Sequence, residues 1–219
     1  MKAEETKQAI EQAGIMPVLR ARSAIEGRAL VEALVAGGIA VMEVTMTVPG
    51  AVELLRNLKK EFGDRLLLGS GTVTSADQAQ ATIDAGAEFI VSPCFHPDVV
   101  SATRKAGKVS IPGALTPTEV ITAWRAGADY VKIFPCSAVG GASYLKALLA
   151  PFPELHLIPT GGVTLATAAD FLKAGARALG VGTDLVNPRA IEEGKPEKIT
   201  ETAKAYVEIV GKFRAGARG

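Results

Sequence analysis

The chain has 219 residues, of which 48% are hydrophobic and 21% are charged, a composition typical of globular proteins rather than disordered segments. A formal net charge of +1 and an aromatic content of 5% argue against nucleic acid or an anionic membrane as a partner. Cys94 and Cys136 show neither zinc-binding nor disulfide spacing, and the N-terminus lacks the apolar core of a signal peptide. No apolar run approaches the roughly 20 residues of a membrane span, so we expect a cytoplasmic protein.

A weak repeat of helical segment, Ala-Gly pair and short apolar run recurs along the chain. Glycine tolerates the left-handed conformation that commonly ends a helix, so each pair predicts a helix end. The pairs are Ala36-Gly37, Ala85-Gly86, Ala106-Gly107, Ala126-Gly127 and Ala174-Gly175. Helix, glycine and strand in alternation predict βα units and a parallel sheet.

Eight apolar runs have the composition of strands. The predicted strands are residues 15–20, 41–45, 66–70, 89–92, 109–111, 130–134, 155–160 and 178–182. Eight βα units in this length predict an α/β protein with a (β/α)8 TIM barrel. An open doubly wound sheet would need a GxGxxG turn after the first strand, where Arg20-Ala21-Arg22-Ser23 stands instead.

Helical segments of suitable length lie between these strands. The predicted helices include residues 24–36, 76–85, 116–126, 165–174 and 197–213, with an extra N-terminal helix over 2–12 before the barrel at 15–213. Ser23, Ser75 and Thr116 are plausible N-caps, and Glu119 completes a capping box with Thr116. Because no linker or shift in composition divides the chain, we expect a single domain over residues 1–219.

In a TIM barrel, function lies at the carboxyl ends of the strands and in the loops that follow them. Arg20 ends the first predicted strand, and Glu43 stands between two apolar residues in the second. A buried glutamate is consistent with an ion pair to a lysine or arginine, and equally with acid–base catalysis, since burial favours the neutral carboxyl. Arg20 could pair with Glu43 or bind an anionic substrate.

Glycines and hydroxyls follow the third strand, and a proline follows the fourth. Gly69-Ser70-Gly71-Thr72 would let the backbone approach a ligand, although a tight turn with Thr72 or Thr74 as a helix cap explains the pattern equally well. Pro93 makes a rigid exit from the fourth strand.

The sixth strand carries Lys132 between β-branched residues. Side chains alternate along a strand, so Tyr130, Lys132 and Phe134 share one face. Taken alone, Lys132 could lie on an edge strand and extend to water. In a closed barrel both faces are covered, and burial favours the neutral amine, which is a nucleophile.

The seventh and eighth strands end in glycine-rich turns. One contains Thr160, Gly161 and Gly162, and the other contains Gly182 and Thr183. Turns that present amide N–H groups after these two strands are the usual phosphate site of TIM barrels, whereas close packing at the rim is the structural alternative.

Metal-dependent chemistry finds no support in the pattern. His96 and His156 are the only histidines, and their separation is not that of metal ligands. No nucleophile-elbow motif points to serine hydrolase chemistry either. We therefore expect neither a metal nor another cofactor.

Taken together and in order, these short motifs resemble the 2-keto-3-deoxy-6-phosphogluconate (KDPG) and 4-hydroxy-2-oxoglutarate aldolase family over residues 15–213. They are Glu43-Val44-Thr45, Gly69-Ser70-Gly71-Thr72-Val73, Ser92-Pro93, Pro112-Gly113, Lys132-Ile133-Phe134-Pro135, Pro159-Thr160-Gly161-Gly162-Val163 and Gly180-Val181-Gly182-Thr183. The resemblance implies a metal-independent class I lyase of the Entner–Doudoroff pathway, commonly a homotrimer.

The resemblance also implies a role for each matching residue. Lys132 matches the Schiff-base lysine and Glu43 the general acid/base. The substrate-binding positions are matched by Thr72 and Thr160 at the pyruvyl half, Pro93 and Phe134 beside the imine, and Gly161, Gly162, Gly182 and Thr183 around the phosphate.

Two positions depart from the family pattern. Some members have an arginine where this chain has Thr47, and others resemble this chain in having an arginine at the position of Arg20. We therefore expect Arg20 to bind the substrate carboxylate. Thr183 replaces a common serine and keeps the hydroxyl.

The expected reaction is cleavage of KDPG to pyruvate and glyceraldehyde 3-phosphate. Relatives of this family also act on the 6-phosphogalactonate epimer or on 4-hydroxy-2-oxoglutarate, so the substrate stays open. Two other classes of function are compatible with the residues. One is a phosphosugar isomerase or epimerase with Glu43 as base, and the other is a non-catalytic barrel that binds a phosphorylated ligand.

Overall fold

Nine short strands alternate with ten helices along residues 1–216, the part of the chain that the computed structural model describes. The strands are β1 Ile15–Leu19, β2 Val41–Thr45, β3 Leu67–Gly71, β4 Phe89–Val91, β5 Val109–Ile111, β6 Gly113–Ala114, β7 Val131–Ile133, β8 Leu157–Pro159 and β9 Leu179–Val181. Every strand pairing is parallel.

The helices pack around the outside of these strands, apart from α1. They are α1 Ala3–Ala13, α2 Ala24–Ala36, α3 Ala51–Phe62, α4 Ala76–Asp84, α5 Pro97–Lys105, α6 Pro117–Arg125, α7 Ala142–Leu149, α8 Ala168–Lys173, α9 Pro188–Glu192 and α10 Glu197–Gly216. Short 3₁₀ turns occupy Gly63–Arg65 and Cys136–Val139. None of the helices within residues 1–216 has the length and hydrophobicity that a bilayer crossing requires.

The strands close into a barrel. Six lie in the order β5-β4-β3-β2-β1-β9 and three in the order β6-β7-β8. A bridge between Thr160 and Gly180 joins β8 to β9 on one side. On the other side β5 continues through Pro112 into β6, and the proline interrupts the ladder because it has no N–H to donate. The eight strand positions confirm the predicted (β/α)8 barrel.

The extra N-terminal helix closes the amino end of the barrel. Its Ile10 is fully buried in the inner core with Met16, Phe89 and Ile158. Tyr130 also points into this core, and its hydroxyl donates to the Lys7 carbonyl at 3.3 Å and to Glu11 Oε1 at 3.0 Å. The site must therefore open at the opposite, carboxyl end of the strands.

The predicted caps are confirmed. Ser23 Oγ accepts from the Glu26 amide at 3.2 Å, and Ser75 Oγ accepts from the Gln78 amide at 3.3 Å. Thr116 Oγ1 accepts from the Glu119 amide, and Glu119 accepts in return from the Thr116 amide at 2.8 Å. These backbone hydrogen bonds, with one from Leu115, hold the pKa of Glu119 below its usual value.

The helix end predicted at Ala36-Gly37 is confirmed, but the left-handed residue there is the next glycine. Gly86, Gly107, Gly127 and Gly175 have positive φ as expected, but Gly37 has φ −84° and the left-handed residue is Gly38. A Cβ on Gly37 would lie 2.4 Å from the Cβ of Ala203, so this glycine instead permits close packing of α10 on α2.

Several predicted boundaries also shift. The first strand ends at Leu19, and Arg20 lies just beyond it. The helix expected over 165–174 begins only at Ala168, because Thr164 and Thr167 form a turn in which the Thr167 hydroxyl accepts from the Thr164 amide. The last helix continues to Gly216. Residues 217–219 of the expected domain lie outside the described residues.

Candidate active site

Lys132 and Glu43 meet inside the carboxyl half of the barrel. They come from β7 and β2, which occupy opposite positions in the ring of strands. Lys132 Nζ lies 3.6 Å from Glu43 Oε1, and the two side chains are 5% and 0% exposed. The predicted burial of both residues on the inner face is confirmed. Since Glu43 pairs with Lys132, the alternative that it pairs with Arg20 is wrong.

Two glycines permit close packing at this site. A Cβ on Gly71 would lie 2.7 Å from the carboxyl carbon and Oε1 of Glu43, so Gly71 leaves room for that carboxylate. A Cβ on Gly113, whose partner in the strand register is Lys132, would lie 2.3 Å from the Pro93 carbonyl oxygen. Gly113 therefore lets the Pro93 backbone pack against the strand beside Lys132.

Several buried polar atoms at the site have no hydrogen-bond partner within residues 1–216. They include both carboxylate oxygens of Glu43 and the Oγ1 of Thr160. Buried polar groups are normally hydrogen-bonded, and leaving one unmade costs about 1–3 kcal/mol. Glu43 therefore has acceptor capacity that a substrate or water could use, which a fully satisfied structural ion pair would lack.

Thr72 is held in a strained conformation directly after β3. It has φ +58°, and among the described residues no other non-glycine has a positive φ. This conformation costs a β-branched residue on the order of 1–3 kcal/mol. Thr72 thus follows the strand that pairs with Glu43's strand, in a backbone conformation that the rest of the fold must impose.

Phe134 lies near the lysine, and Pro93 packs against the strand beside it. The Lys132 ammonium position is 5.4 Å from the centroid of the Phe134 ring, within cation–π range. Pro93 follows β4, and its carbonyl lies against Gly113 of the strand beside β7. Both residues are half-buried, so each can form a wall of the pocket.

The two glycine-rich turns are neighbours. The Thr160–Gly180 bridge brings the ends of β8 and β9 together. Gly161 and Gly162 have φ +88° and +78°, and a Cβ on Gly162 would lie 2.3 Å from the Cβ of Ser137. Gly182 faces open space, because a Cβ there would meet no atom within 4 Å.

Arg20 and Thr183 line one groove of about 560 Å³ at this rim, together with Arg22, Arg189 and Glu192. Arg22 is neutralised by ion pairs to Glu26 and Glu192. The exposed Arg20 makes no ion pair or side-chain hydrogen bond within the described residues, so it can bind an anion.

Sequence reasoning missed two features of this end. Cys94 Sγ lies 3.2 Å from His96 Nε2, at the rim beside Pro93. Tyr206 of α10 donates to Asp184 Oδ2 at 2.5 Å. Asp184 follows the glycine-rich turn after β9, but no local sequence pattern links it to a tyrosine on the last helix.

The described residues contain no cluster of three His, Cys, Asp or Glu side chains that could hold a metal ion. The buried thiol of Cys136, just after the Lys132 strand, is also in an unreactive state. Burial raises its pKa to about 11, so it stays protonated at neutral pH.

Comparisons with known proteins agree on one family. A family model described as KDPG and KHG aldolase matches residues 6–202. The 2-dehydro-3-deoxy-phosphogluconate aldolase of Treponema pallidum is 35% identical over 205 residues, which cover 93% of this chain and 97% of that protein. The 2-dehydro-3-deoxy-6-phosphogalactonate aldolase of Escherichia coli K12 is 33% identical over 197 residues, covering 90% and 96%.

Solved structures give the same result. The KDPG aldolase of Legionella pneumophila, with pyruvate captured as a covalent carbinolamine, superposes with a TM-score of 0.85 at 32% identity. The match covers 92% of this chain and 97% of that one.

Proposed function

The chain belongs to the KDPG and KHG aldolase family, and from that premise we propose that it is a class I aldolase that cleaves KDPG to pyruvate and glyceraldehyde 3-phosphate. The observation that carries the proposal is the Lys132–Glu43 pair. A buried amine lies 3.6 Å from a carboxylate whose oxygens have no hydrogen-bond partner within residues 1–216. That combination supplies a nucleophile and an adjacent acid–base group.

The reaction begins when the neutral amine of Lys132 attacks the C2 ketone of the substrate. The carbinolamine that forms loses water to give a protonated imine, and Glu43 moves the protons that this step requires. Both groups are buried in the barrel, Lys132 at 4% and Glu43 at 0% exposure, so the reaction takes place away from bulk water.

Carbon–carbon cleavage follows from the imine. Glu43 takes the proton of the C4 hydroxyl, the C3–C4 bond breaks, and its electron pair moves into the iminium to give an enamine. Glyceraldehyde 3-phosphate leaves, the enamine is protonated at C3, and hydrolysis of the imine releases pyruvate and restores Lys132. The iminium is the electron sink, so we propose that the reaction uses neither a metal nor another cofactor.

The remaining site residues bind the two ends of the substrate. Thr72 and Thr160 contact the pyruvyl half, while Pro93 and Phe134 form the pocket walls beside the imine. The phosphate binds the backbone amides of Gly161, Gly162 and Gly182 and the hydroxyl of Thr183. This assignment is supported by the Thr160 Oγ1, which has no hydrogen-bond partner within residues 1–216, and by the positive φ of Gly161 and Gly162.

Arg20 binds the substrate carboxylate in this proposal. Its guanidinium lies at the rim without an ion-pair partner among the described residues, and Thr47 occupies the position of the alternative arginine. An Arg20→Gln variant should raise the pyruvate concentration needed for half-maximal borohydride trapping by about tenfold, the effect of losing one charged hydrogen-bond pair. If only the KM for phosphorylated substrates rises, Arg20 binds the phosphate and the carboxylate assignment is wrong.

The family also contains aldolases for the galactonate epimer and for 4-hydroxy-2-oxoglutarate, so turnover of several substrates tests the proposed function. KDPG, its C4 epimer, 4-hydroxy-2-oxoglutarate and unphosphorylated 2-keto-3-deoxygluconate are compared at equal enzyme concentration. We expect pyruvate from KDPG with the largest kcat/KM. Failure to release pyruvate from any of them would instead support an isomerase or a ligand-binding barrel.

The family resemblance further leads us to propose a cytoplasmic homotrimer of single-domain protomers. Ile25 on α2 is 85% exposed, which is consistent with an apolar contact between protomers. Sedimentation equilibrium should give three times the chain mass of 22.7 kDa, and a monomer mass at micromolar concentration would contradict the trimer.

A further inference from the structure

Tyr206 ties the last helix to both glycine-rich turns. Its side chain is fully buried, and its hydroxyl lies 2.5 Å from Asp184 Oδ2 and 3.5 Å from the Val163 carbonyl oxygen. Asp184 Oδ2 also accepts from the Leu165 amide at 3.3 Å. One hydroxyl and one carboxylate oxygen thus connect α10, the turn after β8 and the turn after β9.

These contacts lie next to the residues assigned to the phosphate. Val163 directly follows Gly162, and Asp184 directly follows Thr183. The turns contain Gly162, with φ +78°, and Gly182, where a Cβ would meet no atom within 4 Å, so neither residue contributes a side chain that could hold its turn. The Thr160–Gly180 bridge fixes their base, and the Tyr206–Asp184 pair fixes their outer part.

Two donors fix the position of the Asp184 carboxylate, directly after the turn residue Thr183. The Tyr206 hydroxyl and the Leu165 amide both donate to Asp184 Oδ2. Burial, and then the nearby Asp184, raise the pKa of Tyr206 above its usual value, so the hydroxyl stays protonated and remains a donor.

We propose that Tyr206 and Asp184 are positioning residues that set the affinity of the glycine-rich turns for the phosphate of the substrate. This inference rests on the proposed function, because it takes those turns to be the phosphate site. Tyr206 touches no substrate atom. It acts through Asp184 and Val163 on the amides and hydroxyl that do.

The other end of the barrel contains a matched tyrosine. Tyr130 is also fully buried, and its hydroxyl also donates to one carboxylate oxygen and one backbone carbonyl. Those partners, Glu11 and Lys7, belong to α1 at the amino end of the barrel. Removing either hydroxyl therefore deletes the same kind of contact, in one case beside the turns and in the other far from them.

The experiment compares Tyr206→Phe with Tyr130→Phe in the full chain. For Tyr206→Phe we expect the KM for KDPG to rise about tenfold, the effect of losing one charge-assisted hydrogen bond, with kcat within about twofold of wild type. The KM for 4-hydroxy-2-oxoglutarate, which has no phosphate, should stay within about twofold. Tyr130→Phe should leave both KM values unchanged although it lowers thermal stability.

Two variants of the exposed Asp184 extend the test without disturbing the core. Asp184→Ala should reproduce the selective rise in KM, whereas Asp184→Asn, which keeps an acceptor oxygen, should retain a KM within about threefold of wild type. The double variant Tyr206→Phe with Asp184→Ala should be no worse than either single variant, because both remove one interaction.

The outcomes separate this inference from the proposed function. If wild type forms pyruvate from KDPG but Tyr206→Phe and Asp184→Ala change both substrates' KM values equally, or change neither, the positioning role is wrong while the aldolase stands. The role is also wrong if wild type shows no preference for the phosphorylated substrate. If wild type cleaves no substrate at all, the proposed function fails first.

Discussion

Two lysine–glutamate pairs lie at opposite ends of this barrel, and they are built differently. At the amino end, before β4 and β5, Lys108 Nζ donates to Glu88 Oε2 at 2.7 Å, and the N-terminal ammonium lies 3.5 Å from Glu88 Oε1. At the carboxyl end, Lys132 and Glu43 are 3.6 Å apart and more deeply buried. Both oxygens of Glu43 lack a hydrogen-bond partner among the described residues, while both oxygens of Glu88 have a cationic neighbour.

This difference distinguishes a pair that stabilises the fold from a pair that can take part in a reaction. Glu88 and Lys108 satisfy each other at the edge of the solvent, so their pair stabilises the fold and has nothing left to offer a ligand. Glu43 and Lys132 are 3.6 Å apart, and both Glu43 oxygens lack a hydrogen-bond partner among the described residues, so they remain available to a reacting group.

The largest effect is expected from removing the nucleophile. Lys132→Met should lower kcat/KM for KDPG by at least about 10⁴-fold, because no other amine can form the imine. The matched variant Lys108→Met should keep wild-type kinetics and lower the free energy of unfolding by about 1–2 kcal/mol, since Glu88 loses its charged partner. Steady-state kinetics and chemical denaturation of both variants provide the comparison. If Lys108→Met loses activity while its fold stays intact, the distinction between the two lysine–glutamate pairs is wrong.

The second effect concerns the carboxylates. Glu43→Gln should lower kcat on the order of 10²–10⁴-fold, because the amide cannot accept the C4 hydroxyl proton. The same change also leaves the buried Lys132 without its ion-pair partner, so turnover is the readout for this variant. Glu88→Gln should keep normal turnover and lower the melting temperature. Retained wild-type turnover in Glu43→Gln would remove Glu43 from the acid–base role.

The space around Glu43 can be tested without touching either charge. In Gly71→Ala the new Cβ would lie 2.7 Å from the Glu43 carboxylate, so the carboxylate must move. A displacement of about 1 Å is expected to cost on the order of 10²-fold in kcat/KM. Gly211→Ala on α10, where a Cβ meets no atom within 4 Å, is the control and should be slightly stabilising. Equal kinetics for the two variants would argue that Glu43 needs no such space.

The smallest expected effect is a pH dependence of stability that arises at the amino end of the barrel. Burial, and then the nearby Arg177, lower the pKa of His156, whose ring packs on Trp124 and Tyr130. The unfolded chain therefore binds this proton at higher pH than the folded chain. His156 contributes stability above its unfolded pKa and loses that contribution as the pH falls towards the folded pKa.

Melting temperatures between pH 7.5 and pH 5 measure this contribution. The wild-type melting temperature should fall more steeply with decreasing pH than that of His156→Gln, while kcat/KM of the two proteins stays equal at pH 7.5. His96→Gln is the control, because His96 lies at the carboxyl-end rim. A wild-type slope that matches the His156→Gln slope would contradict the assignment of this proton to His156.

Much of the barrel fold could be predicted, because its strands and helix ends follow from local sequence patterns. The alternation of side chains placed Lys132 inward, and Ser23, Ser75 and Thr116 cap helices where their hydroxyls predicted. Glycine ends were predicted as a class, but Gly37 shows that one glycine can serve packing while its neighbour takes the left-handed turn.

The rest depended on contacts that no local pattern contains. Asp184 and Tyr206 are 22 residues apart on different elements, and their hydrogen bond exists only because α10 packs beneath the β9 turn. The positive φ of Thr72 likewise could not be predicted from the sequence. A β-branched residue is unfavourable in that conformation, and the surrounding barrel holds it there.

The most direct test of the account is covalent trapping with pyruvate and borohydride, followed by peptide mapping with mass spectrometry. Reduction of the imine should add the mass of the reduced pyruvyl group to the peptide containing Lys132 and to no peptide containing Lys108, and Lys132→Met should abolish the adduct. An unmodified Lys132 peptide in wild type, or an adduct that persists in Lys132→Met, would contradict the assignment of this buried lysine as the nucleophile.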